Sequence, residues 1–170
     1  MVCCVTGHRP SGFNFSRKPD NLLYMEYCSR LADEIEYLMR YGYDTFITGM
    51  ADGADIDFAL MVIMFKSKYD YISLEAAIPY PIRPTKVYTE YHENRDHVLK
   101  NCDKKYIISN NYYRGCMHKR NRFMVDRSDM VFAIWNGKEK GGTWDTIKYA
   151  RSKGKEIRYL MLDTLGSLDK

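Results

Sequence analysis

Apolar and polar positions along the chain follow two periods. Short apolar runs close on glycine or proline, and between them lie longer stretches with apolar residues three or four apart. Residues 2–6 form the first run, which ends at Gly7. Residues 21–41 place Leu22, Leu23, Met25, Leu31, Ile35, Leu38 and Met39 at helical spacing, with Gly42 as the stop. Further strands are predicted over 44–48, 71–78, 105–109, 130–135 and 156–161. Helices are predicted over 54–68, 86–101, 116–127 and 143–152, the last stopped by Gly154. Pro79, Pro81 and Pro84 close the third strand.

Strict alternation of strand and helix implies parallel strands joined by crossover helices. At 170 residues the chain is too short for an eight-fold barrel. The expected fold is α/β: a Rossmann-like, doubly wound, mainly parallel sheet of about six strands with helices on both faces. It forms a single domain over 1–170, with no internal repeat or linker. In such a sheet the ligand lies beyond the carboxyl ends of the strands, near the switch in strand order. The glycine-bearing turns of this chain fall at those ends.

Composition narrows the class. Hydrophobic residues make up 45% and charged residues 28%, which suits an ordinary globular domain. No apolar run approaches the roughly 20 residues of a membrane span. Residues 1–6 lack a basic region followed by a long apolar stretch, so the expected location is the cytoplasm. Five cysteines include no C-x-x-C pair, which argues against a disulfide scaffold or a zinc knuckle. Cys3 and Cys4 are expected to pack in the first strand as small apolar residues. A net charge of +4 does not by itself point to nucleic acid.

Four regions carry candidate chemistry. Thr6-Gly7-His8-Arg9 leaves the first strand sharply and presents a basic pair, and an arginine fork suits phosphate oxygens. Ile47-Thr48-Gly49-Met50-Ala51-Asp52-Gly53-Ala54-Asp55-Ile56-Asp57 is a strand, a glycine turn and a helix start, the arrangement of an anion site. Asp52 or Asp55 there serves as a helix cap or as a partner for ribose hydroxyls. The D-x-x-D-x-D spacing has no supporting metal motif, so no metal is expected. Arg120 and Asn121 lie on the helix before the fifth strand. Gly141-Gly142-Thr143 starts the last helix, where N–H groups and a hydroxyl suit a phosphate and where Thr143 could equally cap. His92 and His97, five apart, do not have the spacing of helical zinc ligands, and they read as a solvated face. Tyr80, between two prolines, reads as a packing ring or a base-stacking one.

In order and placement these segments resemble the SLOG superfamily, which includes the DNA-processing DprA proteins and the LOG proteins, and most closely its small bacterial YpsA-like branch. The resemblance runs from Thr6-Gly7-His8-Arg9 through Thr48-Gly49 to Asp55, Ile78-Pro79-Tyr80-Pro81 and Arg120 to Asp126, and ends at Gly141-Gly142-Thr143. It implies a site for a nucleotide or nucleotide-derived ligand. LOG enzymes are similar at the same places and cleave a base from a nucleoside monophosphate. Their pattern has an Arg-Lys pair, a later Met, and P-G-G-x-G-T-x-x-E. Here Arg120 and Met124 match, while Asn121 replaces the lysine and Thr146 stands three on from Thr143 in place of glutamate. A carboxylate is what cleavage of the N-glycoside requires, to stabilise charge or activate water.

The resemblance and the turns together imply binding or sensing of a nucleotide-like small molecule, similar to NAD or ADP-ribose, with no other cofactor. Thr6, Gly7, His8, Arg9, Gly49, Asp52, Gly53, Asp55, Arg120, Asn121, Gly141, Gly142 and Thr143 are the candidate ligand residues. A nucleotide hydrolase is the alternative, with Asp55 and Arg120 as its catalytic candidates. A DprA-like nucleic-acid binder ranks last, resting on the basic cluster Arg114, His118, Lys119, Arg120 and Arg122. Related proteins often pair through helices, so a homo-oligomer is a further expectation.

Overall fold

A computed structural model describes residues 1–81 and 87–166. Six strands form one parallel sheet: β1 (Val2–Gly7), β2 (Thr45–Thr48), β3 (Ser73–Ile78), β4 (Lys104–Ile107), β5 (Met130–Trp135) and β6 (Glu156–Met161). Between them run α1 (Leu22–Arg40), α2 (Ala54–Lys66), α3 (Glu90–Asn101), α4 (Cys116–Arg127) and α5 (Gly141–Ser152). The spatial order is β4-β3-β2-β1-β5-β6. The chain therefore builds outward from β1 to β4, crosses back, and continues on the other side with β5 and β6. The switch in order lies between β1 and β5, where Gly7 pairs with Ile134.

Alternate strand residues enter two cores because successive side chains point to opposite faces. Cys3, Val5, Phe46, Leu74, Phe132 and Ile134 pack with Leu31, Ile35 and Leu38 of α1 and Phe58 and Val62 of α2. Cys4, Ile47, Ala77 and Val131 pack with Met124 and Val125 of α4 and Ala150 of α5. With helices on both faces the inner strands are largely apolar, which is why β5 reads as an unbroken run. Cys3 and Cys4 are fully buried, and burial pushes the Cys4 thiol up to about 12, so both thiols serve packing. No helix among the described residues is long and apolar enough to cross a membrane.

Element ends differ from the sequence pattern at several places. α3 begins at Glu90 rather than at 86, because Thr89 and His92 form a capping box in which the Thr89 N–H donates to His92 Nδ1 at 3.2 Å. His92 is thus a cap residue, while His97 is exposed. Lys86 and Pro84 lie outside the described residues. β4 starts one residue early and ends at Ile107, in register with Glu75 to Ile78 of β3. β3 starts at Ser73 rather than at 71, and α2 ends at Lys66 rather than at 68. α5 starts at Gly141 with Lys140 as its cap residue, so Thr143 is inside the first turn and does not cap it.

Candidate functional site

The β1 turn is held tightly over the start of α2. A side chain at Gly7 would place its Cβ 2.3 Å from that of Ala54, and one at Gly53 would meet the His8 carbonyl at 2.4 Å. That carbonyl accepts the Ala54 N–H at 3.0 Å. His8 is half-buried, and its Nε2 has no hydrogen-bond partner among the described residues. Burial lowers its pKa and Lys138 adds to this, while a hydrogen bond with Asn136 opposes them. Arg9, the next residue, is exposed.

In the turn after β2 the protein uses most polar groups itself. Thr48 Oγ1 donates to the Asp55 carbonyl at 2.8 Å and accepts the Met50 N–H at 3.2 Å. Met50 takes a left-handed φ of 64°, rare for a side chain of its size. Asp55 Oδ2 accepts the Ala51 N–H at 3.3 Å and lies 3.4 Å from Arg120 Nη1. Arg120 Nη1 also donates to the Gly49 carbonyl. Gly53, not Asp52 or Asp55, is the cap residue of α2. The His8 carbonyl therefore occupies the amino end of α2 and the Asp55 carboxylate the turn before it, where the glycine spacing alone presents an open anion cradle.

The three carboxylates have arginine partners. Arg17 donates to both oxygens of Asp57, at 2.5 and 3.2 Å, and lies 3.7 Å from Asp52. Burial raises the pKa of Asp55, with Arg120 working against it, and burial likewise raises that of Asp57 against Arg17. Burial also lowers the pKa of Arg120, which the charge of Asp55 opposes. Arg17 carries no motif and is separated from Asp57 by 40 residues, so the sequence offers no sign of it.

The amino end of α5 is the open one. Gly141 and Gly142 are exposed, with no atom within 4 Å of where a Cβ would stand. Thr143 Oγ1 donates to the Gly7 carbonyl at 2.9 Å, tying α5 to the end of β1. Thr146 Oγ1 donates to the Gly142 carbonyl at 2.8 Å and accepts Asn121 Nδ2 at 2.7 Å. Trp144 stacks on Trp135 at 5.4 Å and 7°, which steadies the loop before the helix.

These elements enclose a cleft of two lobes at the switch point. One, of 290 Å³, is bounded by Thr6, Gly7, His8, Arg9 and Asp55 on one side and by Arg120, Asn121, Gly142 and Thr143 on the other. Its neighbour, of 370 Å³, adds Gly49, Asp52, Tyr80 and Tyr91. Arg9, Ala51, Met117 and Arg120 belong to both lobes. Gly53 and Gly141 line neither. Tyr91, unremarkable on a charged helix, donates its hydroxyl to the Met50 carbonyl at 3.0 Å and forms one wall. Arg120 is 5% exposed, and its Nε has no partner among the described residues.

The YpsA family model, described as the YspA SLOG family, matches residues 3–165. No curated protein matches the chain. Among solved structures the chain is similar to DNA processing protein A from Helicobacter pylori, described for its single-stranded DNA binding mode. The two share 18% identity and a TM-score of 0.58, over 94% of this chain and 64% of that one. The chain thus spans less than two thirds of that protein, and the likeness is one of fold.

Proposed function

The chain belongs to the YspA SLOG family, and from that premise we propose that its cleft binds a nucleotide or nucleotide-derived ligand. The phosphate sits at the amino end of α5 beside Arg9, and the ring lies by Tyr80 and Tyr91. The observation that carries this reading is Arg120. It is a buried cation with one carboxylate at 3.4 Å and an Nε with no partner among the described residues, on a side chain that lines both lobes. A buried polar group without a hydrogen bond is costly, and an anionic ligand supplies the missing acceptor. The exposed first turn of α5 adds N–H donors and a partial positive charge. Two connected lobes suit a ligand with two ends, in the manner of ADP-ribose or NAD.

Binding is favoured over hydrolysis by where the polar groups point. The Asp55 carboxylate is engaged by Ala51 and Arg120. Thr146, at the position of the LOG glutamate, is hydrogen-bonded on both sides.

Calorimetric titration with adenosine, AMP, ADP-ribose and NAD tests this. The phosphate-bearing ligands bind at least about tenfold tighter than adenosine. Arg9→Ala weakens them by about tenfold to a hundredfold, the worth of a charged hydrogen bond. No free base is released from AMP. Equal affinity for adenosine and AMP, or no binding of any of them, overturns the proposal.

A further inference from the structure

A depression of 790 Å³ on the surface is a groove between α4 and α5 rather than the cleft itself. It begins where the cleft ends, since Asn121 lines both the smaller lobe and the groove. Beyond Asn121 it is lined by the exposed cations Lys119, Arg122 and Lys148. Asp145 is the one carboxylate residue among its lining residues, and Lys148 already pairs with it at 2.9 Å. Arg122 is held in place, its guanidinium carbon 5.2 Å from the centre of the Tyr149 ring. The Tyr149 hydroxyl in turn donates to Asp126 at 2.9 Å. Tyr113 is 44% exposed on the same groove, and its ring stacks on no other ring among the described residues.

Spaced cations with an exposed aromatic ring are the elements that hold a single nucleic-acid strand, the cations tracking phosphates and the ring meeting a base. Each helix is 12 residues long, or about 18 Å, which is the span of a few nucleotides. Arg120, by contrast, points into the cleft and takes no part in this basic face. We propose that the α4–α5 groove carries the continuation of a single nucleic-acid strand, one nucleotide of which occupies the cleft. This rests on the cleft binding a nucleotide, and the strand is favoured over an acidic peptide because Tyr113 is available to a base.

The test compares AMP with short oligoadenylates on the wild-type protein and on the triple variant Lys119→Ala/Arg122→Ala/Lys148→Ala. The wild type binds the oligoadenylate at least about tenfold tighter than AMP at low salt. The triple variant binds AMP as before and loses that gain, and its log affinity falls with log salt on a slope shallower by about 2. Inorganic polyphosphate and polyglutamate do not reproduce the gain. If AMP binds but the oligoadenylate is no tighter, or the triple variant keeps the gain, the groove proposal fails and the cleft stands. It also fails if polyphosphate or polyglutamate matches the oligoadenylate. If the oligoadenylate binds in a groove-dependent way while AMP does not bind, the groove stands and the cleft reading fails. If neither binds, both fail.

Discussion

Asn121 Nδ2 donates to Thr146 Oγ1 at 2.7 Å, joining two of the positions at which the chain departs from the LOG pattern. A lysine and a glutamate are expected there by that pattern, and a neutral pair stands in their place. Thr146 Oγ1 in turn donates to the Gly142 carbonyl at 2.8 Å, so the pair orients the glycine turn at the start of α5. Thr146→Val keeps the shape and leaves two polar groups without this partner. It is expected to lower stability by about 1–3 kcal/mol in urea denaturation and to weaken AMP binding. Unchanged stability and affinity would show that the pair does neither job.

Arg120 and Asp55 behave as a buried ion pair, 5% and 6% exposed. Arg120→Ala leaves the Asp55 carboxylate uncompensated, and a loss of about 3–5 kcal/mol is expected. Arg120→Met combined with Asp55→Leu recovers most of that stability, because two desolvated charges are removed together. Nucleotide binding stays lost in the double variant. Recovery of binding along with folding would exclude Arg120 from ligand contact.

Gly142 separates stability from binding. Its Cβ would meet no protein atom within 4 Å, and Gly142→Ala is expected to stabilise α5 by up to ~1 kcal/mol. Gly142→Asp puts a carboxylate in the first helical turn, worth about 0.3–1 kcal/mol to the helix. The same charge repels a phosphate. A higher melting temperature together with at least about tenfold weaker AMP binding is the expected pair of results, and unaltered binding would move the phosphate elsewhere.

Glu75, buried on β3, governs part of the acid limb of stability. Burial raises its pKa, but hydrogen bonds and charge from Arg127 at 3.0 Å and Lys104 at 3.3 Å more than offset this, so the net value is lowered. A carboxylate with a lowered folded-state pKa adds stability above its unfolded value of about 4.3 and loses it as pH falls through the lower folded value. Asp55 and Asp57, both raised, have the opposite sign, and their protonation on acidification favours the folded state. Denaturation of Glu75→Gln against wild type across this acid range should show a gap that is widest at neutral pH and closes on acidification. A gap independent of pH would assign the effect to packing.

Among the described residues, the order and type of the six strands and five α-helices could be read from the sequence because a parallel sheet buried on both faces gives unbroken apolar runs such as β5, and the helices between keep their period; the short 3-10 turns at Pro10–Gly12 and Leu162–Thr164 left no such pattern. Their ends were harder, since caps such as Thr89 with His92 are set by local hydrogen bonds rather than by hydrophobicity. The glycine turns at β1, β2 and α5 were visible, and Arg9, Arg120 and Thr143 do meet in one lobe. What those turns do was not visible. Arg120 reaches Gly49 across 71 residues, and the carbonyl that fills the amino end of α2 comes from His8 in another turn. Arg17 and Tyr91 belong to no motif, and only tertiary packing gives them partners.

A crystal structure of the protein grown with AMP tests the central claim most directly. The phosphate is expected within hydrogen-bond distance of the first N–H groups of α5 and of the Arg9 guanidinium, with the adenine beside Tyr80 and Tyr91 and an acceptor near Arg120. AMP bound away from this cleft, or the cleft empty at a saturating concentration, would contradict the account.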